Sequence, residues 1–398
     1  MSLAPGRIVA ALCATEALGM LGFAAFPALV PDFIAAWRLS NTQAGLIAGI
    51  YFGGYMACVP VLVSLTDRVD PKKIYVWSIV VAALAQIGFA LFATGFWSAL
   101  VFQALAGAAL AGAYMPGLKI LSDNVTGPRQ SRYIAFYTAT FSLGSALSYF
   151  IAGEVGRVWG FAWAFATTGA VGFASAAMAA ALVPTSPKPA APAAHRLLDF
   201  RPVLRDRPTM AYVFGYAAHM WELFGLRAWL VAFLVFAQSL HPEQSPWLTA
   251  ATVAALVNLI GLPCSIGGNE LAMRYGRRRV LTYIMLTSAA IACTIGFLAA
   301  LPFWAVTLLC LVWAMFVTGD SASLTAGAVL AIRPEIRGAA MAVHSTVGFG
   351  FGFLGSVALG IVLDLAGSTI LGWGLAFATL GIGCAFGPAA LWWLGRRE

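Results

Sequence analysis

Charge is scarce in this 398-residue chain: aspartate, glutamate, lysine and arginine make up 10% of it, against about 25% in soluble globular proteins. With 61% of residues hydrophobic, too little charge remains to cover a soluble surface, and a water-soluble protein of this length is excluded. Polar connecting sequence is equally rare, the one long polar segment being Pro184 to Pro208, rich in proline and alanine at its start and in arginine at its end. Cysteine chemistry has no footing. Cys13, Cys58, Cys264, Cys293, Cys310 and Cys384 are scattered through apolar stretches with no CxxC or Cys/His spacing, so they read as core thiols rather than disulfides or a zinc site. No phosphate loop, Walker motif, nucleophile elbow or metalloprotease motif occurs, which removes the basis for ATP-driven transport and for enzymatic function. No cofactor, metal centre or nucleic-acid partner is expected.

Long apolar runs are abundant. Cutting at charged or Pro/Gly-rich breaks leaves spans near 8–36, 42–65, 74–94, 97–121, 133–153, 160–183, 209–237, 246–268, 279–300, 302–332, 338–363 and 370–393. That makes twelve, each near or above the roughly 20 residues that cross a bilayer as helix. The longer ones predict tilt or kinks, helped by Pro27 and Pro31 in the first and Pro116 in the fourth. The first run is too long for a signal-peptide core and is interrupted by Glu16, so it is expected to remain as a membrane helix. The segment 184–208 then links two halves, 1–183 and 209–398, and its Leu197, Leu198 and Phe200 predict a short amphipathic piece on the membrane surface.

The net charge of +8 sets orientation. With the N-terminus placed in the cytoplasm, 20 of the 23 lysines and arginines fall inside, Arg38 and Arg157 outside, and Arg227 within the membrane. Both termini and the linker are therefore expected to be cytoplasmic, in a multi-pass protein of the cell's inner or plasma membrane. The Asn124-Val-Thr sequon falls on the cytoplasmic side and is set aside.

One offset recurs between the halves. The loop after the second span, from Asp67 to Lys73, and the loop after the eighth, from Met273 to Arg279, lie 206 residues apart, and the same offset lays Glu16 on Glu222 and Tyr114 on Asp320. Two six-helix halves related by an axis along the membrane normal form a transporter arrangement with solute bound near the midplane. The fold expected is thus an all-α membrane protein of twelve transmembrane helices in two pseudo-symmetric six-helix bundles around a central cavity.

The first of these loops resembles the signature of the major facilitator superfamily, roughly G-x-x-x-D-[RK]-x-G-x-[RK]-[RK]. Asp67, Arg68, Lys72 and Lys73 match it, while Val63 and Asp70 stand where glycines are usual. In the second copy Arg274, Gly276, Arg278 and Arg279 match, but Met273 replaces the acid and Asn269 the first glycine. The resemblance implies a secondary transporter working by alternating access, with Asp67, Arg68 and Arg274 in an inside gate. It also implies that the first, fourth, seventh and tenth helices line the cavity.

Those four spans carry the buried polar residues: Glu16, Tyr114, the group His219, Glu222 and Arg227, and Asp320. Ionisable residues at mid-membrane are costly and usually face a bundle interior or a watery cavity. A carboxyl desolvated there can take up and release a proton as the cavity alternates, which makes Glu222, Glu16 and Asp320 the proton-coupling candidates, with His219 as a relay. Glu222 is expected as the main site, because it lies nearest the middle of its span and is paired with Glu16 by the offset. Arg227 could hold an anionic group of a small organic solute, and Tyr114, Trp221 and Tyr216 could stack on it. His344 ranks lower. Two alternatives share these residues. Cys13, Glu16 and Met20, opposite His219 and Met220, could serve transition-metal import. Drug or metabolite efflux by proton antiport is the other, although the fifth span, FSLGSALSYFIAG, lacks the Gly-Pro-x-x-Gly-Gly run of the family's drug antiporters. The partners expected are the bilayer and a small-molecule solute, for a monomer driven by the proton gradient.

Overall fold

The computed structural model describes residues 4–66, 68–126, 130–186, 200–243, 247–333 and 337–395, and all regular structure among them is helical. In chain order the helices are α1 (Pro5–Gly19), α2 (Ala25–Ala28), α3 (Val30–Trp37), α4 (Asn41–Leu65), α5 (Pro71–Phe92), α6 (Phe96–Asn124), α7 (Gln130–Trp159) and α8 (Phe161–Leu182). They continue as α9 (Arg201–Arg205), α10 (Arg207–Ser239), α11 (Ala250–Tyr275), α12 (Arg277–Ile295), α13 (Phe303–Gly319), α14 (Ser321–Ala331), α15 (Arg337–Ala366) and α16 (Ile370–Leu394). Eleven stretches are long and apolar enough to cross a membrane, with α13 and α14 counted as one, Phe303–Ala331. The protein is an all-helical membrane protein.

The first apolar run, expected as one helix, is α1, α2 and α3 in succession, none of them long enough alone. Its main break falls at Met20 to Ala24, ahead of both prolines that were expected to bend it. Side chains of other helices hold the break open: Ser148 Oγ on α7 accepts from the Ala24 N–H at 2.8 Å and donates to the Leu21 carbonyl at 2.6 Å. Gln86 Nε2 on α5 donates to the Gly22 carbonyl at 3.3 Å. Inside a membrane a helix can be interrupted only where such partners replace the lost backbone bonds.

The helices sort into two compact units, Met1–Leu29 with Gly53–Leu197, and Val30–Phe52 with Leu198–Glu398. A division at the linker alone was expected, yet residues 30–52 pack with the second unit. A polar clasp and an aromatic stack hold them there. The Asp364 carboxylate near the end of α15 accepts from the Asn41 and Thr42 N–H groups, each at 2.8 Å, and from the Asn41 amide at 3.0 Å, capping the start of α4. Further along α4, Phe52 stacks on Phe224 of α10, with ring centroids 3.9 Å apart.

In the first unit α1, α5, α7 and α8 pack around Leu12, Tyr75, Ile79, Tyr137 and Ala179. In the second, α10 packs on α14, α15 and α16 over Val213, Leu281, Met285, Leu324 and Leu391. The end of the linker belongs to this second core: Val203 is fully buried and Phe200 packs beside it, instead of lying on a membrane surface as expected. Leu197 and Leu198 lie outside the described residues. Asp206 caps α10 by accepting from the Thr209 N–H at 3.2 Å and lies 3.6 Å from Arg333.

Ser148→Ala removes the donor and acceptor that complete the Met20–Ala24 break and leaves two buried backbone groups without partners. It is expected to cost about 2 kcal/mol or more, read as a lower melting temperature of the purified protein. An unchanged melting temperature would mean that the break does not depend on Ser148.

Candidate functional site

Helix α10 is the central element of the second unit. Of its most apolar window 78% is buried, against 39–50% for the other membrane helices, so its polar residues meet protein rather than lipid. At 100° per residue Tyr216, Met220, Leu223 and Arg227 form one stripe, His219 lies about 60° to one side, and Glu222 about 120° round on the same side. The site is therefore divided between two faces of one helix.

Glu222 points into the helices of its own unit. Its Oε1 accepts from Ser288 Oγ of α12 at 2.7 Å and from the indole N–H of Trp313 of α13 at 2.8 Å. All three residues are buried, and both donors are neutral. A carboxylate held in this way lacks the cation that would offset its charge.

On the adjacent face His219 Nδ1 lies 2.7 Å from Asp320 Oδ1, both residues fully enclosed. The two atoms are in contact, but the ring is turned off the line of a hydrogen bond. Asp320 occupies the junction between α13 and α14, where the tenth apolar run turns. Its carbonyl accepts from Leu324 N–H at 2.8 Å, and the Ala322 N–H is satisfied by Ser265 Oγ of α11 at 3.1 Å. Gly268 of α11 is required here, since a β-carbon on it would collide with the Gly319 carbonyl.

The Tyr216 ring stands between two imidazoles. It is stacked on His344 of α15 at 4.0 Å and 20°, and faces His219 at 5.8 Å and 30°. His344 is buried, with neither ring nitrogen hydrogen-bonded. Arg227 is buried one and a half turns beyond Glu222, its guanidinium 5.5 Å from the centre of the Phe224 ring. Trp221 packs away from these groups. Its indole donates to the Thr379 carbonyl of α16 at 3.1 Å, which fixes the ring between helices.

In the first unit Glu16 is buried in α1, and neither carboxyl oxygen has a hydrogen-bond partner. Its neighbour Thr15 is fully engaged, contacting the Tyr75 hydroxyl at 2.8 Å, while the Thr15 carbonyl accepts from Ser175 at 2.7 Å. Tyr114 of α6 joins an aromatic group with Tyr137, at 5.9 Å, and Phe141, at 5.5 Å, and its carbonyl accepts from the Tyr137 hydroxyl at 3.0 Å. Glu16 and Tyr114 thus belong to one unit and the α10 group to the other. The same division separates Cys13, Glu16 and Met20 from His219 and Met220, and among the described residues no group of three or more His, Cys, Asp or Glu is placed to hold a metal ion.

Of the expected gate residues, Asp67 lies outside the described residues and Arg68 is exposed. Arg274 is also exposed, its guanidinium 5.3 Å from the ring of its neighbour Tyr275. Arg277, which was not among the expected gate residues, is the arginine of this loop that bonds to neighbouring helices. Its Nη1 donates to Asn269 Oδ1 at 3.1 Å, to the Ser323 carbonyl at 2.7 Å and to Ser323 Oγ at 3.0 Å, tying α11, α12 and α14 together. Position 277 opens α12, and from there an arginine reaches back between helices, whereas position 274 ends α11 facing away. Sequence reasoning also missed Ser288 and Trp313, which carry no local signal. His344 is visible in the sequence as an ionisable residue in an apolar run, but its stacking on Tyr216 is not.

Buried ionisable groups on several long apolar helices mark a functional site inside a membrane protein. The chain belongs to the Major Facilitator Superfamily, whose family model matches residues 12–356. Among curated proteins it is 24% identical to "Protein spinster homolog 3" of Danio rerio over 52% of this chain and 44% of that one. It is 26% identical to "Probable sphingolipid transporter spinster homolog 1" of Arabidopsis thaliana over 32% of this chain and 26% of that one. These matches span between a quarter and a half of the relatives' lengths. Among solved structures, a bacterial homolog to the human lysosomal transporter Spinster, in an inward-facing and occupied conformation, superposes with TM-score 0.77 and 14% identity, covering 99% of this chain and 97% of that one. The POT family transporter PepTSo superposes with TM-score 0.76 and 13% identity, covering 99% and 98%. At these identities the likeness is one of fold.

Arg277→Ala is expected to cost about 1–3 kcal/mol, because it frees the Asn269 and Ser323 acceptors together. Arg274→Ala, at an exposed position, is expected to change stability by less than about 0.5 kcal/mol. Melting temperatures of the two variants side by side test this, and equal losses would overturn the assignment.

Proposed function

We propose that this protein is a proton-coupled secondary transporter that moves a small organic solute by alternating access. In this reading the broken run α1–α3 completes a set of twelve spans in two six-helix bundles, with both termini and the linker cytoplasmic, as the one-sided lysines and arginines favour. It acts as a monomer in the cell membrane, and proton movement supplies the energy.

The observation that carries the proposal is the state of the three buried carboxyls. Glu16 has no partner, Glu222 has only neutral donors, and Asp320 meets a histidine, so among the described residues none of them meets a lysine or arginine. Fixed structural ion pairs would have supplied such a cation. Acids left without one can gain and lose a proton. Of the three, Asp320 carries the exchange, because a base already lies 2.7 Å from it. Glu222 keeps its two hydrogen bonds when neutral and supports the geometry. Glu16 is the corresponding acid of the first unit. Arg227 orients an anionic group of the solute, and Tyr216 offers it a ring edge.

The first solutes to test are a sphingolipid, since a relative bears that name, and short organic carboxylates, since Arg227 is the buried cation of α10. In proteoliposomes a pH jump is expected to drive accumulation by wild type. Asp320→Asn should abolish accumulation while leaving downhill exchange. Glu222→Gln should retain much of it, because an amide oxygen still accepts from Ser288 and Trp313. Accumulation by Asp320→Asn equal to wild type would remove Asp320 from the role, and wild-type transport indifferent to the proton gradient would overturn coupling altogether.

A further inference from the structure

We propose that His344, with the Tyr216 ring beside it, forms a solute-binding subsite in the second unit that takes a neutral group able both to donate and to accept a hydrogen bond, a hydroxyl or an amide. The inference rests on the transporter reading above and names a part of the solute.

Both ring nitrogens of His344 are buried within a membrane helix and have no hydrogen-bond partner, although the residue is 3% exposed. An imidazole enclosed in this way is a standing cost to the fold, since it has given up water and received nothing in return. Packing alone does not explain it. A phenylalanine would stack on Tyr216 equally well, and Gly348, one turn further along α15, is already open enough to admit the Tyr216 ring edge. Polar groups left orphaned in this way are natural where an occupant supplies the partners during function.

The neighbourhood selects the occupant's chemistry. Unpaired charge on His344 would be costly inside a span, and among the described residues no carboxylate contacts it: Asp320 lies against His219, and Glu222 is held by Ser288 and Trp313. His219, across the Tyr216 ring, disfavours a cation as well. A neutral imidazole presents one donor and one acceptor. A hydroxyl or an amide answers both, whereas a carboxylate answers only the donor and an ammonium only the acceptor. The ring faces are used in the His344–Tyr216–His219 stack, so the occupant meets ring edges. Across Tyr216, His219 and Asp320 Oδ1 form a second set of unsatisfied atoms, and a solute with two polar groups would span both sets.

The test uses the purified full-length protein in lipid nanodiscs and three probes that share one acyl chain and differ in head group: monoolein, neutral with two hydroxyls; oleate, an anion; and oleylamine, a cation. Binding is followed by tryptophan fluorescence and melting temperature. Wild type is expected to bind monoolein more tightly than oleylamine, and only the monoolein affinity is expected to depend on His344, since a carboxylate has the buried Arg227 to bind. His344→Phe keeps the stack but removes both nitrogens, so it should raise the melting temperature of the probe-free protein and weaken monoolein by about tenfold or more. His344→Gln, which retains a donor and an acceptor, should keep most of the affinity. If His344→Phe does not fold, His344→Leu is read in the same way. Monoolein binding by His344→Phe at wild-type strength overturns the proposal and leaves the nitrogens to water. A loss of oleate binding in His344→Phe as large as that of monoolein, or a loss of monoolein binding in His344→Gln as severe as in His344→Phe, overturns it too. Because these are binding measurements, failure of proton coupling in liposomes would leave them standing, and the two readings fail separately.

Discussion

A hydrocarbon environment offers no hydrogen bonds, and every polar atom placed in it must find its partner within the protein. This constraint explains why the membrane helices are long and mostly continuous, and also why they break where they do. The Met20–Ala24 turn exists because Ser148 and Gln86 supply what the helix gave up. The turn at Asp320 exists because Ser265 and Arg277 bind the backbone beyond it and Gly268 leaves room for the Gly319 carbonyl. Both breaks lie on spans that carry a buried carboxyl. A helix interrupted beside an acid can reorient that acid at lower cost than a continuous one.

The three carboxyls differ in the remedy each has found. Glu222 is surrounded by donors and is held firmly in one geometry; Asp320 faces a base; Glu16 faces nothing that bonds to it. A buried acid with neutral donors is stable when protonated, an acid beside histidine can pass its proton across a short contact, and an acid without partners waits for a ligand, a proton or a change of shape. Three residues that look alike in the sequence are therefore three different devices. Their difference comes from the residues opposite them, Ser288 of α12 and Trp313 of α13 for Glu222, His219 of α10 for Asp320, and no bonding partner for Glu16.

The clasp between Asp364 and the start of α4 follows the same rule near a helix terminus. Two backbone N–H groups that would otherwise be unsatisfied are bound by a carboxylate 322 and 323 residues away in the chain. It belongs with residues 30–52 in the second unit, although those residues are continuous in sequence with α1. Chain order is a poor guide to packing here, because helix caps, aromatic stacks and close backbone approaches are decided by what arrives in space.

Hydrophobic runs, the scarcity of charge and the 206-residue offset were enough to reveal the membrane class, the approximate limits of the helices and the polar residues they would have to bury, because lipid imposes those features on composition and spacing directly. The loop residues Asp67, Arg68, Lys72 and Lys73 were enough to suggest the family. Tertiary structure alone decided which residues face one another: that Trp221 binds a carbonyl of α16, that Arg277 and not Arg274 reaches into the helices, that His219 meets Asp320, and that His344 stacks on Tyr216 with its nitrogens unsatisfied. Each of these depends on the rotation and depth of one helix against another. Those are set by side-chain packing and by the need to satisfy polar groups in three dimensions, and the hydrophobicity of a single span, which is much the same all round, carries no record of them.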